Sequence, residues 1–276
     1  MKRYKILIHD FDTRAFSLNP APEQWSSEAK VQHRINQENT IAGLLSQFGQ
    51  CNLGQKIENF KELGSKPFSV AAFHNRFLEQ IRNSYVIGSY YAALTGACAL
   101  GERILNHMIL ILRDYHKDTP EYKKIFRKKS IDYWPTAIDA LDSWGELLPE
   151  VAPKFRELYD KRNHAIHFNP DVDSNDKKFA IEAIHLIQEI ISLEFSSFGT
   201  QPWYFCVPGE IYIKKEWENK PLIRNIFIKS AALVGPKHKV LSLAPKIVVN
   251  DDFEYENKDI SDEEYKRLRQ MELGQI

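Results

Sequence analysis

The chain has 276 residues, of which 43% are hydrophobic and 12% aromatic, so it is long and apolar enough to bury a core of its own. Its 37 Lys and Arg residues balance 37 Asp and Glu residues, which excludes an overall basic field and requires any RNA-binding surface to be local. The three cysteines, Cys51, Cys98 and Cys206, lack CxxC spacing, which argues against a disulfide framework or a thiolate zinc site and predicts a cytoplasmic protein.

The most apolar stretch is long enough to cross a bilayer but contains polar residues. It covers residues 86–112 and carries Glu102, Arg103, Asn106 and His107. Such residues are costly inside a membrane. Because the first ten residues also lack the apolar stretch of a signal peptide, we expect a core helix and no membrane partner.

The first 67 residues predict an N-terminal extension of short helices and loops after one short strand. Residues 4–8 are rich in β-formers and predict that strand. Residues 26–60 tolerate a helix, but Gly43, Gly49 and Gly54 interrupt them. We therefore expect several short helices in this stretch.

Residues 68–198 predict a helical bundle, because apolar residues recur there with a period of 3.6. The expected helices cover residues 68–81, 86–116, 134–148, 153–168 and 177–195. Pro149 ends one of them, and Asn169-Pro170 stops the next, because a residue before proline is pushed out of the helical region. The last four helices predict an up-and-down four-helix bundle.

After residue 199 the sequence turns to Pro, Gly and β-formers. Strands are expected over residues 203–207, 210–214, 223–228 and 240–249, which predicts a small antiparallel sheet in residues 199–250. Residues 251–276 form an acidic tail with a helix expected over 262–273. The predicted fold class is therefore mainly α with a small β part, that is, α+β.

The predicted helix over residues 153–168 carries an arginine on its apolar stripe. Phe155, Leu158 and Ala165 share this stripe with Arg162, which lies near its middle. A guanidinium keeps its charge and is costly to bury unpaired. Arg162 therefore needs a carboxylate partner, for which Glu102 and Asp139 are candidates, or an anionic ligand.

The neighbouring stripe of the same helix carries Asn163 and, one turn later, His167. Asn163 is placed to orient the imidazole ring. His167 lies in the last turn, where the helix dipole favours an imidazolium ion. Arg162 and His167 are about 140° apart around the axis, so they would converge on one phosphate through the length of Arg162 or across a dimer interface.

Arg162-Asn163-x-x-x-His167 resembles the hallmark motif of the HEPN superfamily, in which an arginine, a polar residue and a histidine lie on a helix of a four-helix bundle. The resemblance covers roughly residues 86–195. The spacing alone is weak, because Arg3 and His9 are separated almost as closely in a strand-like segment. The helical setting, the polar second position and the helix stop after His167 give it weight.

The resemblance implies a metal-independent endoribonuclease that needs no cofactor and acts as a homodimer with a composite active site. Arg162 and His167 would be catalytic, with Asn163 supporting and Glu102 positioning Arg162. The products would be a 2′,3′-cyclic phosphate and a 5′-hydroxyl, and the role that of a bacterial toxin or antiviral defence effector, with an inhibitor or other partner protein. The candidate RNA-binding residues are Lys128, Lys154, Arg156 and Lys161.

Other interpretations of these residues remain open. Arg162 would be structural in a buried ion pair, and His167 would be structural if it packs on Phe168. His164 and His167 lie three residues apart, but no further ligand set supports a metal site. Residues 203–205 suit either core packing or base stacking. The alternatives for the whole chain are a non-catalytic HEPN module that binds a protein or nucleotide, and an interaction protein with a chance Arg-His pair.

Overall fold

The computed structural model describes residues 1–7, 10–70, 72–166, 170–197, 201–243 and 246–275. The described part is mainly helical with small antiparallel sheets, which confirms the predicted α+β class. Its helices are α1 (Ser27–Phe48), α2 (Leu53–Leu63), α3 (Ala72–Val86), α4 (Tyr90–Leu112), α5 (Pro120–Ile125), α6 (Trp134–Ser143), α7 (Val151–Ile166), α8 (Pro170–Glu194) and α9 (Asp262–Glu272). Its strands are β1 (Arg3–Ile6), β2 (Asp10–Asp12), β3 (Lys66–Ser69), β4 (Tyr204–Val207), β5 (Glu210–Ile213), β6 (Ala231–Val234), β7 (Lys239–Ser242) and β8 (Val248–Asn250).

Helix α4 is the centre of the helical part. It contacts α3, α6, α7 and α8 and buries eleven of its residues, including Ala97, Leu105 and Met108. Gly101 allows the close approach of two neighbours, because a Cβ atom there would lie 2.7 Å from both Leu158 Cδ2 and Trp134 Cη2. This contact fixes α6 and α7 against α4 immediately beside residue 102.

The largest sheet joins strands from opposite ends of the sequence, in the order β4-β5-β1-β6. Strand β1 is antiparallel to both neighbours, with Lys5 opposite Tyr212 of β5 and Ala232 of β6. Helix α9 begins at the capping residue Ser261 and buries Tyr265 and Arg269. The predicted N-terminal strand and the predicted C-terminal sheet are therefore one structure.

Several helices differ from the predicted ones: α5 has no predicted counterpart, and α8 begins at Pro170 rather than at residue 177. Helix α1 runs for 22 residues through Gly43, so the expected interruption is wrong. A glycine inside a helix costs only about 1 kcal/mol relative to alanine, which a long helix tolerates. The helix expected from residue 68 begins at Ala72 instead, because residues 66–69 form β3 and pair with β2.

The structure also differs from the single strands predicted over residues 223–228 and 240–249. Ile223–Phe227 is a turn of π-helix that buries Ile223, Ile226 and Phe227. Their i, i+3, i+4 spacing is helical, whereas their Ile and Phe composition favoured a strand. Residues 240–249 contribute to two strands, β7 and β8, which pair as a hairpin.

None of the described helices is both long enough and apolar enough to span a membrane.

Candidate functional site

The predicted pair between Arg162 and Glu102 is present. The Nε atom of Arg162 on α7 lies 3.4 Å from Oε2 of Glu102 on α4. By helical spacing, Arg162 shares a face of α7 with the buried residues Phe155, Leu158 and Ala165. Glu102 therefore supplies the carboxylate partner that an arginine at this position requires.

Glu102 is held in position by the core beside it. The indole Nε1 of the fully buried Trp134 donates a hydrogen bond of 3.1 Å to Glu102 Oε2. The ring of Tyr159 lies 5.6 Å from that of Trp134, and Arg162 Cζ lies 6.0 Å from the Tyr159 ring centroid. An aromatic and charged cluster from α4, α6 and α7 therefore fixes the pair.

The Arg162–Glu102 pair is open to solvent, contrary to the expectation of an arginine in the middle of a buried stripe. The side chains are 22% and 31% exposed, respectively. Arg162 Nη1 donates a long hydrogen bond of 3.4 Å to Asn163 Oδ1, and no described residue accepts one from Nη2. The guanidinium thus keeps hydrogen-bonding capacity that an anionic ligand can use.

The motif histidine, His167, lies outside the described residues, as does Phe168. Its relation to Arg162 and Asn163 therefore stays a prediction. His164, one turn earlier, is exposed, and its Nδ1 lies 2.8 Å from the backbone oxygen of Asp160.

Three of the predicted RNA-binding cations are engaged in ion pairs. Lys154 pairs with Glu189, Arg156 with Asp139 at 2.6 Å, and Lys161 with Glu182 at 2.7 Å. Lys128 is exposed, and its backbone oxygen accepts a hydrogen bond from Arg113. Asp139, the second candidate partner of Arg162, pairs with Arg156 instead. RNA phosphates would have to compete with carboxylates for three of these four residues.

A shallow cavity beside Glu102 brings together cations that the sequence analysis did not select. Its volume is about 220 Å³, and its walls include Glu102, Arg103, His107 and Lys129. Burial and the nearby Arg103 charge lower the pKa of His107, which favours a neutral imidazole at pH 7. Helical spacing was the available signal, since Arg103 and His107 are four residues apart on α4.

Asn106 attaches the loop that carries Lys129 to α4. Its Oδ1 accepts a hydrogen bond of 2.7 Å from the backbone N–H of Ile131, and its Nδ2 donates one of 3.3 Å to the Ile131 oxygen. Arg103 is held in turn over the ring of Phe77, at 4.5 Å from the centroid. The cationic wall of this cavity is therefore built by specific contacts.

Two further chemistries receive no support near Arg162. Cys98, one turn before Glu102, is buried, and burial raises the pKa of its thiol to about 12, so it remains a thiol and a poor nucleophile. Within the described residues, no group of three or more His, Cys, Asp or Glu side chains has the arrangement of a metal site.

The C-terminal aromatic residues serve the core. Trp203 and Tyr204 are 2% and 4% exposed, which confirms core packing for both. Phe205 is partly buried and stacks on Tyr212 with ring centroids 5.3 Å apart. The acidic tail also has a structural role, because Asp262 accepts a hydrogen bond of 2.7 Å from the buried Arg3.

Comparisons of the chain with protein-family models, curated proteins and solved structures found no match.

Proposed function

We propose that this chain is a metal-independent endoribonuclease of HEPN type, in which α4, α6, α7 and α8 constitute the HEPN four-helix bundle. The observation that supports the proposal is the half-exposed Arg162–Glu102 pair, whose guanidinium retains an unused donor. An arginine that served only in a buried ion pair would use its donors within the protein, whereas the Arg162 side chain reaches solvent.

The proposed chemistry divides between two side chains of the motif. Arg162 binds the non-bridging oxygens of the scissile phosphate and stabilises the charge that develops in the transition state. His167 takes the proton of the ribose 2′-hydroxyl or protonates the leaving 5′-oxygen. Glu102 is a positioning residue, which orients Arg162. The products are a 2′,3′-cyclic phosphate and a 5′-hydroxyl end.

The path of the RNA strand is proposed to follow the cavity beside Glu102. Arg103 and Lys129 line it and supply positive charge next to Arg162. Each phosphate contact of this kind adds a salt-dependent contribution to affinity. This path replaces most of the binding residues that the sequence analysis selected, because Lys154, Arg156 and Lys161 are paired with carboxylates.

The decisive experiment is cleavage of a labelled RNA in the presence of a chelator, with the ends of the products identified chemically. Wild-type protein is expected to yield 2′,3′-cyclic phosphate ends, and Arg162→Ala and His167→Ala are expected to abolish cleavage. Arg34→Ala, which removes an exposed arginine of α1, and His164→Ala, which removes the exposed histidine one turn before His167, serve as matched controls and should cleave normally.

Cleavage that survives Arg162→Ala would refute the assigned site, and cleavage lost on chelation would refute the metal-independent mechanism. The homodimer is tested separately. Arg162→Ala and His167→Ala are refolded together, and recovery of activity in the mixture indicates that one site uses residues of two protomers. A monomer by light scattering that still cleaves RNA would exclude the composite site.

A second candidate, a non-catalytic HEPN module that binds a partner protein, is favoured by the ion pairs of Lys154, Arg156 and Lys161. These pairs reduce the positive potential around α7 that an RNA-binding face requires. Absence of both RNA cleavage and RNA binding in the wild-type protein would select this candidate.

Under the leading proposal, the biological role is that of a cytoplasmic toxin or antiviral effector restrained by an inhibitor. Conditional expression of the protein, with cell growth as the readout, tests this role.

A further inference from the structure

A second cavity lies at the other end of α7 and α8. Its volume is about 270 Å³. Its walls come from the C-terminal ends of α6 and α8, from the residue before β4 and from residues 217–223. Three tryptophans, Trp144, Trp203 and Trp217, contribute to its walls. Along α7 the separation from Arg162 is on the order of 15 Å, at ~1.5 Å per residue, so this cavity is distinct from the proposed ribonuclease site.

Two buried glutamates also line this cavity, and they differ in how their oxygens are used. Glu146 is paired on both sides, with His116 Nε2 at 2.8 Å from Oε1 and the Leu222 N–H donating to Oε2 at 3.2 Å. Glu194 is completely buried, and its Oε2 accepts a hydrogen bond of 3.0 Å from the Leu148 N–H. No described residue is a hydrogen-bond partner of Glu194 Oε1.

The cap on Leu148 does not explain why residue 194 is a carboxylic acid. The Leu148 N–H needs one acceptor, which the neutral amide of glutamine would provide equally well. Burial, together with the charge of Glu146, raises the pKa of Glu194 to about 8. The cavity therefore presents a carboxylic acid with one oxygen that no described residue uses, which is costly to keep unless something binds it.

The walls indicate what that ligand is. Tryptophan rings attract cations through the negative potential of their faces, and aromatic rings joined by a carboxylate recognise methylated ammonium groups. Methyl groups on nitrogen suit such walls, because the rings offer little hydrogen bonding to a bare ammonium ion. The volume lies just below the usual range for ligand pockets, so the ligand is small.

We infer that this cavity binds a small methylated ammonium ion, with Glu194 Oε1 as its counter-charge and the three tryptophans around its methyl groups. Lys220, which is exposed and also lines the cavity, carries the same charge as the ligand. It therefore opposes binding and gives a second way to test the inference.

The test is calorimetric titration of the purified full chain with choline, beside 3,3-dimethylbutan-1-ol, in which carbon replaces the charged nitrogen. Choline is expected to bind and to change the intrinsic tryptophan fluorescence, and the neutral analogue should bind at least about tenfold more weakly. Equal binding of both molecules, or no binding of choline at millimolar concentration, would overturn the inference.

Two variants assign the binding to this cavity. Glu194→Gln preserves the cap on Leu148 and is expected to weaken choline binding by about tenfold or more. Lys220→Ala, at an exposed position that does not threaten folding, is expected to strengthen binding severalfold. Unchanged affinity in Lys220→Ala would overturn the inference even if Glu194→Gln failed to fold.

Proton release provides an independent readout. The ionisable residues lining the cavity are Glu146, Glu194, His116 and Lys220. Because the raised pKa leaves Glu194 protonated at pH 7, binding of a cation should expel close to one proton. Titrations in buffers of different ionisation enthalpy measure this, and binding without proton release would contradict the role of Glu194. Arg162→Ala should bind choline normally, so failure of the ribonuclease proposal leaves this one intact.

Discussion

Two Arg–Glu pairs among the described residues, Arg162–Glu102 and Arg269–Glu210, differ in how fully each guanidinium is used. In the sheet region, Arg269 donates to both oxygens of Glu210 at 2.7 Å and to the backbone oxygens of Pro236 and His238 at 2.8 Å. In the helical part, Arg162 on α7 approaches Glu102 on α4 at 3.4 Å. The first arginine uses four of its five N–H donors within the protein, whereas the second makes one long hydrogen bond besides its ion pair.

The surroundings of the two carboxylates differ in the same sense. The side chain of Glu210 is 11% exposed and also accepts hydrogen bonds from Lys5 and Tyr212. Burial alone would raise its pKa, but the hydrogen bonds from Arg269, Lys5 and Tyr212 lower it to about 2. Buried pairs of this kind hold a fold together, while a partly exposed pair between helices is available for chemistry.

The largest effect on stability is expected from breaking the buried pair of Arg269 and Glu210. Glu210→Ala leaves the buried charges of Lys5 and Arg269 without a partner and should lower the free energy of unfolding by about 3–5 kcal/mol. Urea unfolding measures the change. Glu254→Ala, which removes an exposed glutamate, is the control. A loss below about 1 kcal/mol would mean that the sheet does not depend on this network.

The second effect concerns activity rather than stability. Arg162→Ala is expected to lower RNA cleavage by about 10²–10³-fold, as removal of a transition-state donor does, while the free energy of unfolding changes by less than about 1 kcal/mol because the pair is partly exposed. Single-turnover cleavage and urea unfolding are measured on the same preparation. A large stability loss with unchanged cleavage would reverse the roles of the two pairs.

Acid is expected to weaken the sheet region by protonating Glu210. Glu210 has its pKa lowered from 4.5 to about 2, so the stability that its ionised form contributes is present above pH 4.5 and is lost as the pH falls towards 2. Thermal unfolding of wild type and Glu210→Gln between pH 7 and pH 2 measures this. The two melting temperatures should converge below pH 4.5, and parallel curves would contradict the lowered pKa.

Glu102→Gln tests whether the open pair positions its arginine. It keeps the shape but removes the charge, and the expected result is a loss of kcat of about 10- to 100-fold through misplacement of Arg162. KM for RNA and the melting temperature should stay near the wild-type values, and Glu102→Asp should recover part of the activity. A change in KM alone would indicate an effect on RNA binding instead.

The smallest effect is expected at the exposed ion pairs of α7. Lys161→Ala should change stability by about 0.2–1 kcal/mol, in line with other partly exposed pairs. RNA binding should keep its salt dependence, because Glu182 already neutralises Lys161. A decrease of about 0.7 in the slope of log affinity against log salt would instead show that RNA displaces Glu182.

Much of the helical part could be predicted because its signals are local. Period 3.6 located α4, α6, α7 and α8, and the need of Arg162 for a counter-charge identified Glu102. The exposure of that pair could not be predicted, because it depends on how Gly101 lets α6 and α7 approach α4. The geometry of His167 stays a prediction.

The signals that failed are those in which composition and spacing disagree or in which partners are far apart. The apolar residues of Ile223–Phe227 favour a strand by composition but a helix by spacing, and burial of the residues at i, i+3 and i+4 decided the outcome. The pairing of β1 with β5 carries no local signal at all. Glu194 could not be recognised either, since its unusual position follows from three elements that meet at one cavity.

The place of β1 between β5 and β6 also constrains the order in which the protein folds during its synthesis. Lys5 and its partner Glu210 are 205 residues apart in the sequence, so at about 5–20 residues per second the ribosome makes β1 roughly 10–40 s before it makes β5. The sheet therefore closes last. A nascent chain would expose β1 as an unpaired strand throughout that interval.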